Sequence, residues 1–131
     1  TESNFTPPPI QNAGKCSTRE QVYYDILDYV KNNIDKAMRV EDIAAHFGYN
    51  ERYISYLFKK HAGTTLKQYI LNTKIDLANC YLSDTNKSIL SIARELGFKD
   101  NHNFATVYKK IMGITPSEYR NAYAKRMLYH V

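Results

Sequence analysis

Two stretches of the sequence, residues 51–61 and 101–111, each place an apolar side opposite a polar and basic side at helical spacing. An arginine can donate two parallel hydrogen bonds to guanine O6 and N7, and an asparagine can pair in the same way with adenine N6 and N7. A small methyl-bearing side chain suits the methyl group of thymine. The groups available for this chemistry are Arg52, Asn101 or Asn103, and Ala105 or Thr106. Both polar sides therefore have the chemistry to read base edges.

Several of these side chains also have a structural explanation. An arginine or a lysine pair suits a solvated helix surface, an asparagine suits a helix N-cap, and a tyrosine suits packing against a neighbour. The residues with such an alternative are Arg52, the lysine pairs 59–60 and 109–110, Asn101, Tyr56, and His102 as an ordinary turn residue. Glu51 is either a helix cap or an acceptor from cytosine N4. Both stretches keep polar residues outward at equivalent turns, and this agreement favours a functional surface.

The second stretch belongs to a predicted helix-turn-helix. Its helices are indicated by one-sided apolar residues, Ile89, Ile92, Ala93 and Leu96 in the first and Phe104, Val107, Tyr108 and Ile111 in the second. Gly97 and Gly113 follow them, where a helix C-terminus favours positive φ. Thr115 and Glu118 then form a capping box around Pro116 at the first position of a third helix. Short helices joined by a glycine turn predict a helix-turn-helix.

The same pattern occurs once earlier in the chain. At an offset of 49 positions, the later copy repeats the pairs Ile43-Ala44 and Gly48-Tyr49. After a one-residue insertion in the later turn the offset becomes 50, and the repeated residues are Ile54, Phe58-Lys59-Lys60, Gly63, Thr65 and Tyr69. Arg39 stands where Ser88 caps the later copy, which predicts a poorer N-cap for the earlier one. An internal repeat of a whole supersecondary unit predicts two helix-turn-helix subdomains.

Further helices complete a predicted all-α fold of about seven helices. Apolar residues from Leu66 to Leu82 predict an uninterrupted linker helix of roughly 17 residues, about 25 Å long. A capping box at residues 17–20 opens another helix, whose exposed side is acidic. The predicted boundaries are an interdomain linker at residues 1–16, a first helix-turn-helix subdomain at 17–66, the linker helix at 67–83 and a second helix-turn-helix subdomain at 84–131.

Charge is distributed unevenly along the chain. Residues 1–35 hold three basic and five acidic residues, whereas residues 36–131 hold 15 basic and eight acidic ones. A basic surplus in one part of a chain suits a polyanionic partner. A surplus of this size is also common on domains that bind no polyanion, so composition alone leaves both possibilities open.

Several functional classes find no support in the sequence. No apolar run could span a membrane and no signal peptide opens the chain, so no membrane partner is expected. Cys16 and Cys80 form no disulfide-dense framework, which favours a reducing cytoplasm over secretion. Cys16 and Cys80 lack metal-type spacing, and the position of Cys80 in the linker-helix pattern favours a packed thiol over a nucleophile. Glycine-rich phosphate loops and paired carboxylates near a base are also absent from the sequence. We therefore expect no enzyme, no catalytic residue, no cofactor and no metal.

The repeated segment resembles the AraC/XylS family of bacterial transcription regulators. The residues that carry the resemblance are Ile92-Ala93, Gly97-Phe98, Phe104, Tyr108-Lys109-Lys110, Gly113, Thr115-Pro116 and Tyr119-Arg120. Tyr108 stands where the family usually has Phe, and Lys74 replaces an Arg that is common in the linker helix, a change that removes any Arg-specific ion pair there. The resemblance implies sequence-specific binding of double-stranded DNA by the output domain of a regulator.

The resemblance also assigns roles within the two recognition helices. The matched base-reading positions hold Arg52, Ser55 and Tyr56 in the first helix and Asn101, His102, Asn103 and Thr106 in the second. Lysines bind phosphates without specifying sequence, and this role is expected for Lys59, Lys60, Lys109 and Lys110. Two recognition helices on one connector are expected to enter successive major grooves about 34 Å apart. Because the two helices differ in sequence, their half-elements need not be palindromic.

The expected partners are DNA, RNA polymerase and an N-terminal sensor or dimerisation domain that would precede residues 1–16. The start at Thr1 indicates a fragment of such a longer protein. Activation is the commoner behaviour in the family, and the resemblance implies it here. The competing hypothesis is a helical protein-interaction module whose basic face docks acidic partners. A weak salt dependence of duplex binding would favour that alternative, because phosphate contacts impose a steep dependence.

Overall fold

The computed structural model describes residues 18–130, and the side chains of residues 18–123. Over this part the chain consists of seven α-helices, which confirms the predicted all-α class. The helices are α1 Thr18–Asn32, α2 Val40–Phe47, α3 Glu51–Ala62, α4 Leu66–Asp84, α5 Ile89–Glu95, α6 Asn101–Met112 and α7 Pro116–His130. The predicted interdomain linker at residues 1–16 and the predicted cap Ser17 lie outside the described residues. Across the described helices, none has the length and apolar character that a membrane span requires.

The first compact unit comprises residues 18–32 and 39–66 of the described chain. Within it, α1 and α2 both pack on α3. Its buried apolar side chains recur at helical spacing and include Val22, Ile26, Val30, Ile43, Ala44, Ile54, Leu57 and Phe58. Burying one side chain the size of leucine or phenylalanine contributes about 1.5–3 kcal/mol. This unit contains the first predicted helix-turn-helix, α2 and α3.

The second compact unit comprises residues 33–38 and 67–130 of the described chain. Its core joins side chains of α4, of α5 with its C-cap Leu96, and of α6, namely Ile75, Ala78, Leu82, Ile92, Ala93, Leu96, Phe104 and Tyr108. Both α5 and α7 pack on α6. Residues 33–38 lie between α1 and α2 in the chain, yet they group with this unit. It contains the second predicted helix-turn-helix, α5 and α6.

The long helix α4 has 19 residues, and it begins one residue before and ends one residue after the predicted linker helix. Its buried positions include Ala78 and Leu82. Cys80 is exposed with a free thiol, so the prediction of a packed thiol was wrong. At about 100° per residue, Cys80 lies roughly 200° around the helix from both Ala78 and Leu82. Membership of the helix therefore did not imply membership of its buried side.

The first helices of the two helix-turn-helix pairs, α2 and α5, lead into similar glycine turns but begin with different N-caps. Gly48 and Gly97 have positive φ values of 78° and 75°, a left-handed conformation that glycine adopts without steric cost. The caps differ as predicted, because the Ser88 hydroxyl accepts a hydrogen bond from the Ser91 N–H at 3.0 Å. The Arg39 side chain accepts none, since a guanidinium offers only donors. The first helix of the earlier copy therefore has the poorer N-cap.

Candidate nucleic-acid interface

The orientation of α3 is set by its N-cap and by its buried side. Asn50 precedes the helix in an extended conformation, and its side-chain oxygen accepts a hydrogen bond from the Tyr53 N–H at 2.8 Å. Ile54, Leu57 and Phe58 are buried, as the sequence predicted. With its start capped and its inner side packed, α3 turns its opposite side outward from the core of its unit.

The outer side of α3 presents most of the DNA-contacting residues that were predicted for this helix. Arg52, Tyr56, Lys59 and Lys60 are exposed, and Ser55 is half-buried. Tyr56 is 60% exposed, which argues against its alternative role as a packed side chain. The Lys60 Nζ lies 5.8 Å from the centre of the Tyr56 ring, within range of a cation–π interaction. The accessible groups on this side are therefore a guanidinium, a phenol and two ammonium groups.

The orientation of α6 is set in the same way. Asp100 precedes the helix, and its carboxylate accepts a hydrogen bond from the Asn103 N–H at 2.7 Å. Phe104 and Tyr108 are fully buried. The exposed residues are Asn101, His102, Asn103, Thr106, Lys109 and Lys110, and Ala105 is half-buried. The accessible groups here are amides, an imidazole, a hydroxyl and two ammonium groups.

The observed caps decide two alternatives that the sequence left open. Glu51 and Asn101 are each the first residue of their helix, and neither is the N-cap, because Asn50 and Asp100 have that role. Both first-position side chains are exposed at the helix tip. The preference of N-caps for Asn and Asp was the available signal for the observed caps. With capping excluded, acceptance from cytosine N4 is the remaining hypothesis for Glu51.

The helix that follows α6 begins with the predicted capping box. The Thr115 N–H donates to Glu118 Oε1 at 2.8 Å, and the Glu118 N–H donates to Thr115 Oγ1 at 3.1 Å. The backbone hydrogen bond from Thr115 holds the pKa of the Glu118 carboxyl below its usual value. Pro116 occupies the first helical position, so the start of α7 is fixed where it packs on α6.

Two polar residues of the second unit have structural roles that the sequence did not reveal. The Arg120 guanidinium donates to the carbonyl oxygens of Leu82 at 3.1 Å and Thr85 at 3.3 Å, at the end of α4. The Tyr108 hydroxyl donates to Asn79 Oδ1, and burial raises the pKa of this hydroxyl far above its usual value. Asn79 therefore provides the partner that a tyrosine requires at a position where the family usually has phenylalanine.

The basic surplus of the chain belongs to the second unit. Residues 18–32 and 39–66 hold six basic and six acidic residues, whereas residues 33–38 and 67–130 hold 11 basic and six acidic ones. In the first unit Arg39 also lies 3.2 Å from Glu41 and 3.5 Å from Asp42, atom to atom. These exposed pairs contribute little to stability, but they offset the positive charge of Arg39. The two units thus differ in their attraction for a polyanion.

The repeated helix pairs and their polar outer sides define a helix-turn-helix DNA-binding domain. A family model described as a helix-turn-helix domain matches residues 43–122. The melibiose operon regulatory protein of Escherichia coli (strain K12) is 35% identical over 101 residues, covering 77% of this chain and 33% of that protein. The HTH-type transcriptional activator AarP of Providencia stuartii is 31% identical over 102 residues, covering 78% of this chain and 76% of that protein.

A solved structure gives the same result. The crystal structure of a transcriptional regulator with an AraC-type DNA-binding domain, from Chromobacterium violaceum, superposes with a TM-score of 0.71 at 30% identity. The superposition covers 86% of this chain and 97% of the Chromobacterium violaceum chain. The chain belongs to the AraC/XylS family of transcription regulators, and residues 43–122 form its helix-turn-helix domain. It spans about a third of the length of the melibiose regulator that it matches.

Proposed function

We propose that this domain recognises a specific sequence of double-stranded DNA by placing α3 and α6 in two successive major grooves. The observation that carries the proposal is the repetition of one exposed, polar helix side. An Asn caps α3 and an Asp caps α6. In both helices the apolar side is buried and polar residues of the first turns are exposed. A helix held in this way can present its N-terminal residues to base edges.

We assign two kinds of role to the exposed residues of α3 and α6. Side chains in the first turns would contact bases, and those proposed for this role are Arg52, Ser55, Tyr56, Asn101, His102, Asn103 and Thr106. Side chains farther along each helix would contact phosphates, and those proposed are Lys59, Lys60, Lys109 and Lys110. Ser55 would make the smallest contribution of the base-contacting set, because it is half-buried.

The two recognition helices would read different half-elements. At the offset of 50 positions, Arg52 corresponds to His102 and Tyr56 corresponds to Thr106. Equivalent positions of the two helices therefore present different hydrogen-bonding and apolar groups to the base edges, which favour different base pairs. One chain would therefore recognise a directional site of two unlike motifs about one helical turn apart.

In the intact protein this domain would be the output module of a bacterial transcription regulator that acts in the cytoplasm. We propose activation, because the similar protein AarP is named a transcriptional activator. RNA polymerase and an N-terminal sensor or dimerisation domain would be its protein partners. Residues 1–16 would form the interdomain linker, residues 17–66 and 84–131 the two subdomains, and residues 67–83 the linker helix. Catalysis has no part in this proposal.

The experiment that tests the proposal is selection of bound duplexes from a randomised pool at near-physiological salt. Enrichment of two short, unlike motifs about one helical turn apart is the expected result. Enrichment of one motif would mean that one helix reads bases while the other only positions the protein. Without any enrichment, steeply salt-dependent binding would indicate nonspecific electrostatic contact. Binding without either sequence preference or salt dependence would favour the protein-interaction module instead.

A further inference from the structure

One charged side chain lies inside the second unit. Lys74, near the middle of α4, is only 4% exposed. Across the part of the chain with described side chains, no other charged residue is buried. Its ammonium donates to the carbonyl oxygens of Ile34 and Lys36, both at 2.7 Å, and to that of Leu96. All three ammonium protons therefore have a backbone acceptor.

The three acceptors come from two segments that are far apart in the chain. Ile34 and Lys36 belong to residues 33–38, which connect α1 to α2 and group with the second unit. Leu96 is the last residue before the glycine turn that leads to α6. Lys74 thus joins the connecting segment to the turn of the second helix-turn-helix.

The glycine turn provides independent evidence of this contact. A Cβ atom on Gly97 would lie 2.5 Å from the backbone carbon of Lys36 and 2.6 Å from the backbone nitrogen of Ala37. Gly48, at the equivalent turn of the first unit, has no atom within 4 Å of the same point. The segment at residues 33–38 therefore packs directly on the second turn, and the corresponding space at Gly48 is open.

The environment of Lys74 makes its three bonds necessary. Burial lowers the pKa of Lys74 to about 8, and the nearby Asp35 acts in the opposite direction. A buried charge is tolerated only where hydrogen bonds replace water. Loss of the ammonium would in turn leave three inner carbonyls without this donor. An apolar residue would fill the space but would not hold the two segments together.

We propose that Lys74 is a positioning residue for the second recognition helix, and that residues 33–38, held by its ammonium, brace the turn that sets the direction of α6. The turn at residues 97–100 leads directly into Asn101, so movement at Leu96 and Gly97 would displace the exposed residues from Asn101 to Thr106. This inference rests on the proposed function and deepens it. It assigns to the connection between α1 and α2 a role in reading the second half-element.

The test compares Lys74→Gln and Lys74→Arg with the unaltered domain in binding to the selected site. For each half-element, discrimination is the ratio of the affinity for the selected site to the affinity for a duplex with one base pair changed. For the unaltered domain each change is expected to weaken binding roughly 5- to 150-fold. Arg52→Ala and Thr106→Ala identify which half-element each helix reads. Glutamine removes the charge and one of the three donors, whereas arginine keeps the charge and has five donors.

With Lys74→Gln we expect discrimination in the α6 half-element to fall below about twofold, and discrimination in the α3 half-element to stay near normal. Lys74→Arg is expected to retain both. Equal losses in both half-elements, or no loss in either, would overturn the proposal, since a purely structural role would not select one half. Should Lys74→Gln fail to fold, Lys36→Gly loosens the same segment at an exposed position, and the same pattern is expected.

Amide hydrogen exchange tests, without DNA, whether Lys74 holds residues 33–38 against the turn at Gly97. The Gly97 and Phe98 amides donate to Arg94 and Ala93 at 3.1 and 3.0 Å. In Lys74→Gln we expect these two amides to exchange at least about tenfold faster, while those of Gly48 and Tyr49 keep their rates. Equal acceleration in both turns would overturn the proposal. If the unaltered domain selects no site, the proposed function fails. The exchange measurement still decides whether Lys74 and residues 33–38 stabilise the turn at Gly97.

Discussion

Arg52 and Lys59 share the exposed side of α3, but their side chains differ in what they can recognise. The planar guanidinium donates two parallel hydrogen bonds that match O6 and N7 of guanine. The lysine ammonium is a point charge that can bind a phosphate beside any base pair. Arg52 is also the second residue of its helix, at the end that contacts base edges in a helix-turn-helix. Sequence preference should therefore depend on Arg52 and general affinity on the lysine.

Replacing Arg52 by alanine tests this division of roles. Arg52→Ala should weaken binding to the selected site by roughly 1–3 kcal/mol and relax the preference at one base pair. Titrations with the four base substitutions at that position measure both effects. Lys59→Ala is the matched control and should weaken all four duplexes alike. Unchanged affinity of Arg52→Ala for the preferred site would assign Arg52 to the solvated surface.

Glu118 gives a prediction about pH. Its folded-state pKa lies below its usual value of 4.5 because the Thr115 backbone N–H bonds the charged form. A lowered carboxyl pKa stabilises the folded state above the unfolded pKa, and this stabilisation is lost as pH falls through the folded pKa. Glu118→Gln should therefore melt at a lower temperature than the unaltered domain at about pH 7, and the difference should be smaller at a pH below the folded-state pKa. A difference that is the same at both pH values would contradict the assignment.

Single residues were predicted from the sequence with mixed success. The inward positions of Ile54 and Phe104 followed from helical spacing, and both are buried. The roles of Asn50 and Asp100 as caps were missed, because one residue decides whether a polar side chain caps a helix or begins it. The burial of Lys74 was also missed. A charged residue on an otherwise apolar helix side gives no sign of its acceptors when those acceptors are backbone carbonyls.

Among the helices and turns, the internal repeat was the strongest signal in the sequence, yet it concealed a difference between the two glycine turns. Gly48 and Gly97 have the same left-handed conformation. They differ in surroundings, because the backbone at residues 36–37 lies against Gly97 and nothing lies near the equivalent point at Gly48. Periodicity predicted both glycine turns correctly. It carried no information about the polar segment at residues 33–38, since a loop without periodicity leaves its contacts undefined in sequence.

A matched pair of substitutions measures that difference. Gly48→Ala and Gly97→Ala should each lower the free energy of unfolding by about 1–2 kcal/mol, because alanine is strained in the left-handed conformation. Gly97→Ala should lose about 1–3 kcal/mol more, because its new methyl group overlaps backbone atoms that cannot move independently. Urea denaturation of both variants gives the two free energies of unfolding. Equal losses of unfolding free energy would mean that residues 33–38 move aside without cost. That result would also count against the proposal that these residues support the turn at Gly97.

Charge distinguishes the two compact units. The first has equal numbers of basic and acidic residues, and the second has a surplus of five basic residues. Nonspecific attraction to DNA grows with the number of phosphates that basic groups neutralise. The second unit should therefore hold the duplex over a wider range of salt, while the first depends more on a matched sequence. The two helices would differ in strength of attachment as well as in the bases they read.

Two double variants test this difference, Lys59→Gln with Lys60→Gln and Lys109→Gln with Lys110→Gln. If each lysine neutralises one phosphate, either variant should reduce the slope of log affinity against log salt by about 1.8, on preferred and random duplexes alike. The first variant leaves its unit with four basic and six acidic residues, whereas the second leaves nine basic and six acidic.

At moderate salt, footprinting should therefore show loss of the α3 half-element in the first variant and retention of both half-elements in the second. Loss of the α6 half-element alone in the second variant would contradict the electrostatic argument. It would indicate that local lysine contacts, and not the charge of the whole unit, determine attachment.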